Sequence, residues 1–345
     1  MNIGHSYLIA FFATLCAIWI LTPIATKVGF VDRPGGRKQH GSNIPLIGGI
    51  AIFFGFYLSL LFSPIPLQAY RPLFAASIIL LLVGVADDIA DLKPRIRLVT
   101  QIAAAAFATY GSQQPISFVG NLFGFGSIYL SSYGGLLELF IFISYFNAMN
   151  MLDGQDGLAG LVSVSQLILL IYMCMMTNNR HEANILAIFM VTLLVYLAFN
   201  LNIIGDAKSK IFLGDAGSTF IALIIIYFCV RLSQISYPIF QPMAFAWVAA
   251  YPIFDLVSVF VYRVRCKKSP FTAGRDHMHH IIEKAALKPI VAVILIVACS
   301  VLLGIFGLIL NAIQIAEYIS FILYIICLVL YVISANILRN KIGDH

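Results

Sequence analysis

The chain has 345 residues, of which 61% are hydrophobic and only 10% are charged, and its mean hydropathy is +0.96. Soluble domains carry about 25% charged residues, so this composition excludes an ordinary soluble protein and indicates an integral membrane protein. The formal net charge of +6 is explained by basic residues at a membrane surface, where they attract anionic lipid head groups. It therefore requires no nucleic-acid partner.

Eleven apolar segments approach the length of about 20 helical residues that crosses a bilayer. They lie at 6–24, 46–62, 72–86, 98–111, 133–149, 158–176, 184–200, 216–232, 243–262, 289–310 and 317–337. Because lipid excludes irregular backbone, each segment is predicted to be a helix. The sequence thus predicts an all-α polytopic integral membrane protein with about eleven transmembrane helices, two of them short. We expect one domain over 1–345, with the first helix retained rather than removed as a signal.

The basic residues predict the orientation. With a periplasmic N-terminus, 18 of the 21 Lys and Arg residues fall in cytoplasmic loops, where basic residues preferentially stay, and an odd number of helices leaves the C-terminus cytoplasmic. Nearly all side chains capable of chemistry belong to five short polar stretches, which would then share the cytoplasmic face: RPGGRKQH (33–40), DDIADLKPR (87–95), NAMNMLDGQDGLAG (147–160), KIFLGDAGS (210–218) and GRDHMHH (274–280). We expect these cytoplasmic loops to form an active site.

Three acids, Asp87, Asp88 and Asp91, lie where the third helix meets the cytoplasm. Their spacing places at least two carboxylates on one helical face. Such a cluster repels itself unless a cation joins it. A solvated helix end, neutralised by the Lys and Arg residues that follow, is an equally good interpretation of this motif alone.

The 147–160 stretch is more specific. Oxygen-bearing side chains recur at every third position, at Asn147, Asn150, Asp153 and Asp156. This spacing marks one side of a helix end, and Gly154 and Gly157 then break the helix so that backbone can approach a ligand. Amide and carboxylate oxygens are ligands for hard cations and acceptors for a nucleobase or ribose. A plain helix C-terminus would explain the glycines but not the register of the four side chains.

In the 210–218 stretch, Asp215 lies between Gly214 and Gly217 at the predicted start of the eighth helix. The unpaired N–H groups of a helix N-terminus favour anions. Asp215 is therefore either a simple N-terminal carboxylate or a metal ligand beside a phosphate that those N–H groups bind. Lys210 and Phe212 supply a cation and an aromatic face in the same loop.

In the 274–280 stretch, His277, His279 and His280 follow Arg275. Histidines can ligate zinc, but a catalytic zinc needs a third matched protein ligand, and the nearby acids suit Mg²⁺ or Mn²⁺ better. The six cysteines show no CxxC pair, so they indicate neither a zinc cage nor a disulfide framework. A phosphate-binding loop fits the cationic character, and a basic membrane-surface loop is the alternative.

Taken together, the motifs DDIAD, NAMNMLDGQDGLAG, FLGDAGS and HMHH, in this order, resemble the polyprenyl-phosphate N-acetylhexosamine-1-phosphate transferase family. The resemblance covers nearly the whole chain. The HxHH form and the opening RKxHxxxxPxxGG are similar to the bacterial undecaprenyl-phosphate GlcNAc-1-phosphate transferases of O-antigen, common-antigen and teichoic-acid synthesis. The muramoyl-pentapeptide enzymes of peptidoglycan synthesis, the main alternative within the family, carry a different histidine run.

The resemblance implies roles for individual residues. Asp215 would ligate Mg²⁺ or Mn²⁺, with Asn150 and Asp87 as further candidates, while Asp87 and Asp88 would lie beside the diphosphate and the attacking lipid phosphate. The remaining candidates for catalysis or substrate binding are Asp153, Asp156, Asn202, Lys210, Phe212, Arg275, His277, His279, His280, Arg37, Lys38 and His40. Of these, Asp156, Asn202 and Phe212 match positions that face the uridine, although a longer loop weakens the match of Asn202. By default, the basic residues of the 33–40 stretch would be membrane-surface anchors.

The implied reaction transfers GlcNAc 1-phosphate from UDP-GlcNAc to undecaprenyl phosphate at the bacterial inner membrane, and a homodimer is a further expectation. Two anions must meet, so the site has to neutralise charge. A phosphate monoester is largely dianionic at neutral pH, so little proton removal is needed, and direct displacement is favoured over a covalent aspartyl intermediate. An intramembrane prenyltransferase would leave Asp215 and HMHH without a role. A cation-coupled transporter would place its acids near the bilayer midplane, whereas the acids of the polar stretches lie at one interface. Asp255, inside an apolar segment, is interpreted as a polar packing or loop-anchoring residue.

Overall fold

The computed structural model describes residues 3–32, 43–111, 115–204, 209–269, 274, 276–285 and 288–343. Almost all regular structure in these residues is helical. The helices are α1 (Ile3–Val28), α2 (Gly48–Leu61), α3 (Arg71–Ala90), α4 (Pro94–Gly111), α5 (Gly134–Leu152), α6 (Leu158–Met176), α7 (Arg180–Asn200), α8 (Gly214–Ile235), α9 (Pro242–Val248), α10 (Ala250–Arg265), α11 (Met278–Lys284), α12 (Pro289–Ala312) and α13 (Glu317–Gly343). The predicted all-α polytopic class is confirmed.

Two strands of two residues each form the only sheet within the described ranges. Strand β1 (Val31–Asp32) pairs antiparallel with β2 (Ile44–Pro45), so that Val31 faces Pro45. Short 3₁₀ turns at Leu67–Tyr70 and Ser131–Tyr133 lead directly into α3 and α5. The sheet brackets the 33–40 stretch, whose residues Arg37, Lys38 and His40 lie outside the described residues.

Each of the eleven predicted segments corresponds to a helix or a helix pair. Eight of the described helices are long and apolar enough to cross a membrane, and the pair α9 and α10, bent by 69°, makes a ninth if it is one span. The other two segments are α2, which has only 14 residues, and α4, which carries Arg95 and Arg97 in its first turn. The count of eleven crossings and the orientation therefore stay predictions.

By its contacts, the chain divides into two compact units, and α6 and α8 contribute residues to both. Unit 1 comprises Met1–Gln114 and Leu170–Tyr227. In it, α1 packs on α2 and α7, and α3 packs on α4. Its buried centre is aromatic: the Phe56 ring centroid lies 5.1 Å from that of Phe189, which lies 5.6 Å from that of Phe220. Edge-to-face ring pairs of this kind are favourable and help to hold the helices against one another.

Unit 2 comprises Pro115–Leu169 and Phe228–His345. Its core surrounds the fully buried Trp247 of α9, which packs with Met243, Phe254 and Leu310. The indole N–H of Trp247 donates to Ser320 Oγ of α13 at 3.0 Å, so its polar atom is satisfied inside the apolar core. Helix α10 packs on α5, α12 and α13. The prediction of one domain over 1–345 stays a prediction.

Candidate active site

The acids of the 87–95 stretch lie at the C-terminal end of α3 in unit 1. Asp87 is buried, and its Oδ1 accepts a hydrogen bond from the backbone N–H of Leu92 at 2.7 Å. Asp91 is exposed and ends the helix in a left-handed conformation, with φ of 46°. The three carboxylates therefore differ in environment, because the chain turns away from the helix immediately after Ala90.

Asp88 binds the N-terminus of α8. Its Oδ1 accepts from the N–H of Asp215 at 2.9 Å, and its Oδ2 lies 3.5 Å from the N–H of Ala216. Gly214 has φ of +73°, and a Cβ at this position would lie 2.5 Å from Asp88 Oδ2, so only glycine admits the carboxylate without displacement. Two of the N–H groups that the sequence left open to a phosphate are thus bonded to Asp88, where the helix dipole favours a negative charge.

Arg97 of α4 lies between two of these acids. Its Nη1 is 3.1 Å from Asp87 Oδ2 and 3.6 Å from Asp215 Oδ2. The Asp215 side chain is 35% exposed, whereas that of Asp87 is 3% exposed, so Asp215 is the more accessible of the two acids. From the sequence alone, Arg97 is predicted only to neutralise the acids at this helix end. Its proximity to both acids shows that Asp87 and Asp215 converge on one cationic position.

This convergence fits a divalent metal in part. The described residues contain no group of three or more His, Cys, Asp or Glu side chains that would hold a metal ion. Mg²⁺, however, is usually bound through one or two carboxylates, with waters and substrate phosphates completing its octahedron. Asp87 and Asp215 supply the right oxygens for such a site. Asn150, the other candidate ligand, belongs to unit 2 and stays a prediction.

The loop before α8 is tied to the start of α2. Phe212 N–H donates to the carbonyl of Pro45 at 2.9 Å, and the Phe212 carbonyl accepts from Gly48 N–H at 2.9 Å. Lys210 Nζ lies 5.4 Å from the centre of the Phe212 ring, a cation–π contact that places both candidates side by side. Asn202 is exposed in the turn after α7, with φ of +53°. The structure thus joins the loop that carries Lys210 and Phe212 to β2 and the start of α2.

The 147–160 stretch in unit 2 spans the end of α5 and the turn before α6. Asn147 Nδ2 donates to the carbonyl of Ile143 within α5 at 2.7 Å. Asp153 follows the last helical residue, and Asp156 is exposed in the turn. Gly157 has φ of +73°, the left-handed conformation that lets the chain turn sharply into α6. The predicted helix end and glycine break are confirmed, and Asn150 belongs to the last turn of α5.

The histidine stretch in unit 2 begins α11. The buried His277 holds its Nδ1 2.9 Å from Oδ2 of Asp255 in α10, and Asp255 Oδ1 lies 3.3 Å from the N–H of Met278. These contacts agree with the interpretation of Asp255 as a loop-anchoring residue. His280 Nδ1 pairs with Glu283 Oε2 at 3.2 Å. Arg275 lies outside the described residues.

His279 is the most enclosed of the three histidines, with 1% of its surface exposed. Burial, reinforced by the neighbouring His280, lowers the pKa of His279 to about 3. A Cβ on Gly154 would lie 2.5 Å from His279 Nε2, so the neighbour that this glycine admits is the imidazole ring. Neither ring nitrogen has a hydrogen-bond partner among the described residues. The 147–160 turn and the histidine helix are therefore in direct contact.

Two buried arginines, Arg263 and Arg339, fix Asp276, two residues before α11. From the sequence alone they are only basic residues of the predicted cytoplasmic loops. Arg263 Nε donates to Asp276 Oδ2 at 3.0 Å, and Arg339 Nε donates to the Asp276 carbonyl at 2.8 Å. Arg339 also donates through Nη2 to Ser258 Oγ at 2.9 Å. The sequence signal that could have revealed this network is Asp255, an acid inside an apolar segment eight residues before Arg263.

Comparisons with known proteins identify similar sequences. The model of the family described as Glycosyl transferase family 4 matches residues 70–233. Undecaprenyl-phosphate alpha-N-acetylglucosaminyl 1-phosphate transferase of Yersinia pestis is 30% identical over 93% of this chain and 88% of its own length. The proteins of the same name are 30% identical in Escherichia coli K12, over 97% of this chain and 89% of the relative, and 32% identical in Haemophilus influenzae, over 95% and 93%.

The fold and these matches define a polytopic membrane transferase. At this identity over nearly the full length of both chains, the protein belongs to glycosyl transferase family 4.

Proposed function

We propose that this protein transfers N-acetylglucosamine 1-phosphate from UDP-GlcNAc to undecaprenyl phosphate, releasing UMP and forming undecaprenyl-diphosphate-GlcNAc. The observation that carries the proposal is the identity of 30–32% over more than nine-tenths of the chain to transferases whose name specifies that acceptor and that group. The peptidoglycan enzyme, which moves phospho-N-acetylmuramoyl-pentapeptide, has no comparable support.

The reaction is a displacement at phosphorus. An oxygen of the lipid phosphate forms a bond to the phosphorus that carries the sugar, the bond between this phosphorus and the oxygen bridging it to the UMP phosphorus breaks, and UMP leaves with that oxygen and the electron pair. Both reactants are anions, so the main task of the protein is to neutralise and orient charge. A divalent cation, when bound, supplies Lewis-acid neutralisation of the diphosphate.

In unit 1, Asp87 and Asp215 would hold that cation, and Arg97, already beside both carboxylates, would carry positive charge next to the phosphates. Asp88 would act as a positioning residue, since it orients the first turn of α8 that carries Asp215. The lipid phosphate, with its second ionisation near pH 6, is largely dianionic at neutral pH and needs no strong base. Direct displacement therefore accounts for the site without an aspartyl intermediate.

The proposal extends to the location of the enzyme. A substrate carried on undecaprenyl phosphate is anchored in lipid, and a multi-pass protein whose polar loops are expected on one face can meet it at the membrane surface. We place the protein in the bacterial inner membrane, with the site on the cytoplasmic side, where the basic loops are expected.

The test is a product assay. Purified protein is incubated with undecaprenyl phosphate, Mg²⁺ or Mn²⁺, and one of four donors: UDP-GlcNAc, UDP-GalNAc, UDP-glucose or UDP-MurNAc-pentapeptide. We expect UMP and the lipid product with UDP-GlcNAc, and no UMP when the lipid is omitted. Turnover of UDP-MurNAc-pentapeptide alone would move the protein to peptidoglycan synthesis, and no UMP with any donor would refute the assignment.

A further inference from the structure

Asp255 is a carboxylate buried in unit 2, in the middle of an apolar helix. It is 2% exposed and lies in α10, well before Arg263 and Arg265 in the last turn. Burying a carboxylate is costly unless its oxygens are hydrogen-bonded or paired. Here the oxygens meet three groups: Oδ1 accepts from the Tyr331 hydroxyl at 3.1 Å and lies 3.3 Å from Met278 N–H, and Oδ2 lies 2.9 Å from His277 Nδ1.

Anchoring the loop does not require the contact with His277. Met278 N–H already reaches Asp255, and Arg339 and Arg263 already hold Asp276 through its carbonyl and its side chain. The residues on both sides of His277 are thus fixed without its ring. The additional bond to Nδ1 acts on the imidazole itself and fixes its rotation.

The same bond selects one tautomer. An ionised carboxylate only accepts hydrogen bonds, so the proton of a neutral His277 must lie on Nδ1. Nε2, at the far side of the ring, is then the nitrogen that makes no contact with Asp255. Among the described residues, His279 stacks against the ring with centroids 5.9 Å apart, and Asp255 faces it from α10.

We propose that Asp255 is a positioning residue for the transferase reaction: it holds His277 in the Nδ1–H tautomer and reserves Nε2 for a hydrogen bond with the UDP-sugar. This inference rests on the proposed function, because the substrate it names is the donor of that reaction. The chemistry resembles the use of a buried carboxylate to orient a histidine in other enzymes, where the wrong tautomer loses activity although the geometry is intact.

The first test is spectroscopic and needs no turnover. The full-length protein, labelled with ¹⁵N at histidine and held in detergent micelles, is compared with His277→Gln, in which the His277 signals disappear and are thereby assigned. We expect the neutral wild-type ring to carry its proton on Nδ1. A proton on Nε2 would overturn the proposal, even if Asp255→Asn failed to fold and even if the proposed substrate were wrong.

The second test separates positioning from structure. An Asn at position 255 can donate to Nδ1, which shifts the proton to Nε2 with little change in shape. We expect Asp255→Asn to lower kcat on the order of a hundredfold or more, the scale of a positioned histidine, while KM for undecaprenyl phosphate changes less than about threefold. Tyr331→Phe, which removes another bond to the same carboxylate, should keep kcat within about threefold.

A double variant tests whether Asp255 acts through His277. If Asp255 acts through His277, adding Asp255→Asn to His277→Gln should lower the residual kcat by less than about twofold. A full further loss in the double variant, or equal losses of kcat for Asp255→Asn and Tyr331→Phe, would show that Asp255 has a structural role only. Absence of UMP formation by the wild-type protein would instead contradict the proposed function, and the spectroscopic result would still decide the tautomer.

Discussion

At the scale of single residues, adjacent acids have different partners. Asp87 and Asp88 are consecutive in α3, so their side chains leave the helix about 100° apart, as the period of 3.6 residues requires. Asp87 faces Leu92 and Arg97, whereas Asp88 faces the first turn of α8. Asp215, at the more exposed end of the cluster, is the acid best placed to meet a substrate-bound cation.

Asp215→Asn is therefore expected to abolish turnover while the protein stays folded and inserted. Loss of a charged metal ligand removes several kcal/mol of transition-state stabilisation, on the order of a thousandfold or more in rate. The measurement is UMP release across a Mg²⁺ titration. Asp91→Asn, at an exposed acid of the 87–95 stretch, is the control and should retain most activity. Near-normal turnover in Asp215→Asn would show that Asp215 is not an essential metal ligand.

Asp88→Asn tests positioning against proton transfer. Because Asp88 caps α8, its amide replacement should disturb the placement of Asp215 at every pH, so we expect the rate deficit to persist from about pH 5.5 to 9, a range that brackets the phosphate ionisation near 6. The measurement is kcat against pH at saturating substrates and metal, for wild type, Asp87→Asn and Asp88→Asn. A deficit that shrinks about tenfold per pH unit below that ionisation and vanishes above it would restore a general-base role.

His279 predicts a pH dependence of stability. Burial lowers its pKa to about 3, from about 6.5 for an exposed histidine. Between these values the unfolded state binds a proton that the folded state excludes, so stability is unaffected above pH 6.5 and falls below it by about 1.4 kcal/mol per pH unit. Thermal unfolding in detergent from pH 7.5 to 5 should show a shallower acid slope for His279→Gln than for wild type. The exposed His181→Gln should keep the wild-type slope, and equal slopes in all three would contradict the buried neutral histidine.

At the scale of elements, unit 1 depends on close backbone approach between helices. A Cβ built on Gly49 of α2 would meet the backbone of Gly217 in α8, and one on Gly84 of α3 would meet the backbone of Ala216. Gly49 N–H also donates to the Leu213 carbonyl at 3.1 Å. Small residues thus let α2 and α3 approach the first turn of α8, which carries Asp215, and this explains the glycines at positions 49 and 84.

Gly49→Ala should therefore lower stability, because backbone atoms cannot move aside as a side chain can. Overpacking costs about 1–3 kcal/mol, offset by up to about 1 kcal/mol of improved helix propensity. Gly304→Ala in α12 is the matched control, since its Cβ would meet chiefly the flexible end of Leu169. Thermal unfolding in one detergent should show the larger loss for Gly49→Ala; the reverse order would argue against close approach of α2 and α8.

At the scale of the whole molecule, the distribution of Lys and Arg residues predicts the membrane topology. The 18 to 3 division of Lys and Arg assumes eleven crossings, whereas length and composition qualify eight described helices, or nine with the bent pair. If α2 and α4 both cross as well, the parity of the loops is preserved.

Buried acids also occur away from the site: Glu317 accepts from Asn121 N–H at 2.7 Å and Met243 N–H at 3.2 Å, so an acid near an apolar segment is not always catalytic.

The topology is tested by labelling single cysteines with an impermeant thiol reagent in intact cells. All six native cysteines are first replaced, because Cys16 and Cys266 are exposed. Cysteines at the exposed positions Asn178 and Ile239 should react from the periplasm, and one at the exposed Ser269 should react only after permeabilisation. Ser236, another residue of the second outer loop, is buried and would be a poor reporter. Labelling of the cysteine at position 269 from outside would contradict the prediction that the polar loops share one membrane face.

The amino-acid sequence by itself determined the membrane class, the eleven helical segments and the polar stretches that interrupt them. These features are local: a run of apolar residues in lipid must satisfy its own backbone, and only a helix does so within one segment. The end of α5 at Leu152 and the turn at Gly157 were also predictable, because glycines that break a helix are a local feature of the sequence. The family resemblance added candidate roles, but it did not show which polar group meets which.

Only the tertiary structure decided which residues each polar side chain contacts. Asp88 and Asp215 are 127 positions apart, and Asp255 and His277 are 22 apart, so their contacts depend on how helices pack rather than on helical period. The sequence presented Arg97 and Arg339 as surface charges, yet one bridges Asp87 and Asp215 and the other is bonded to Asp276 and Ser258. A buried polar group must find a partner, and which one it finds is set by the three-dimensional proximity that packing creates.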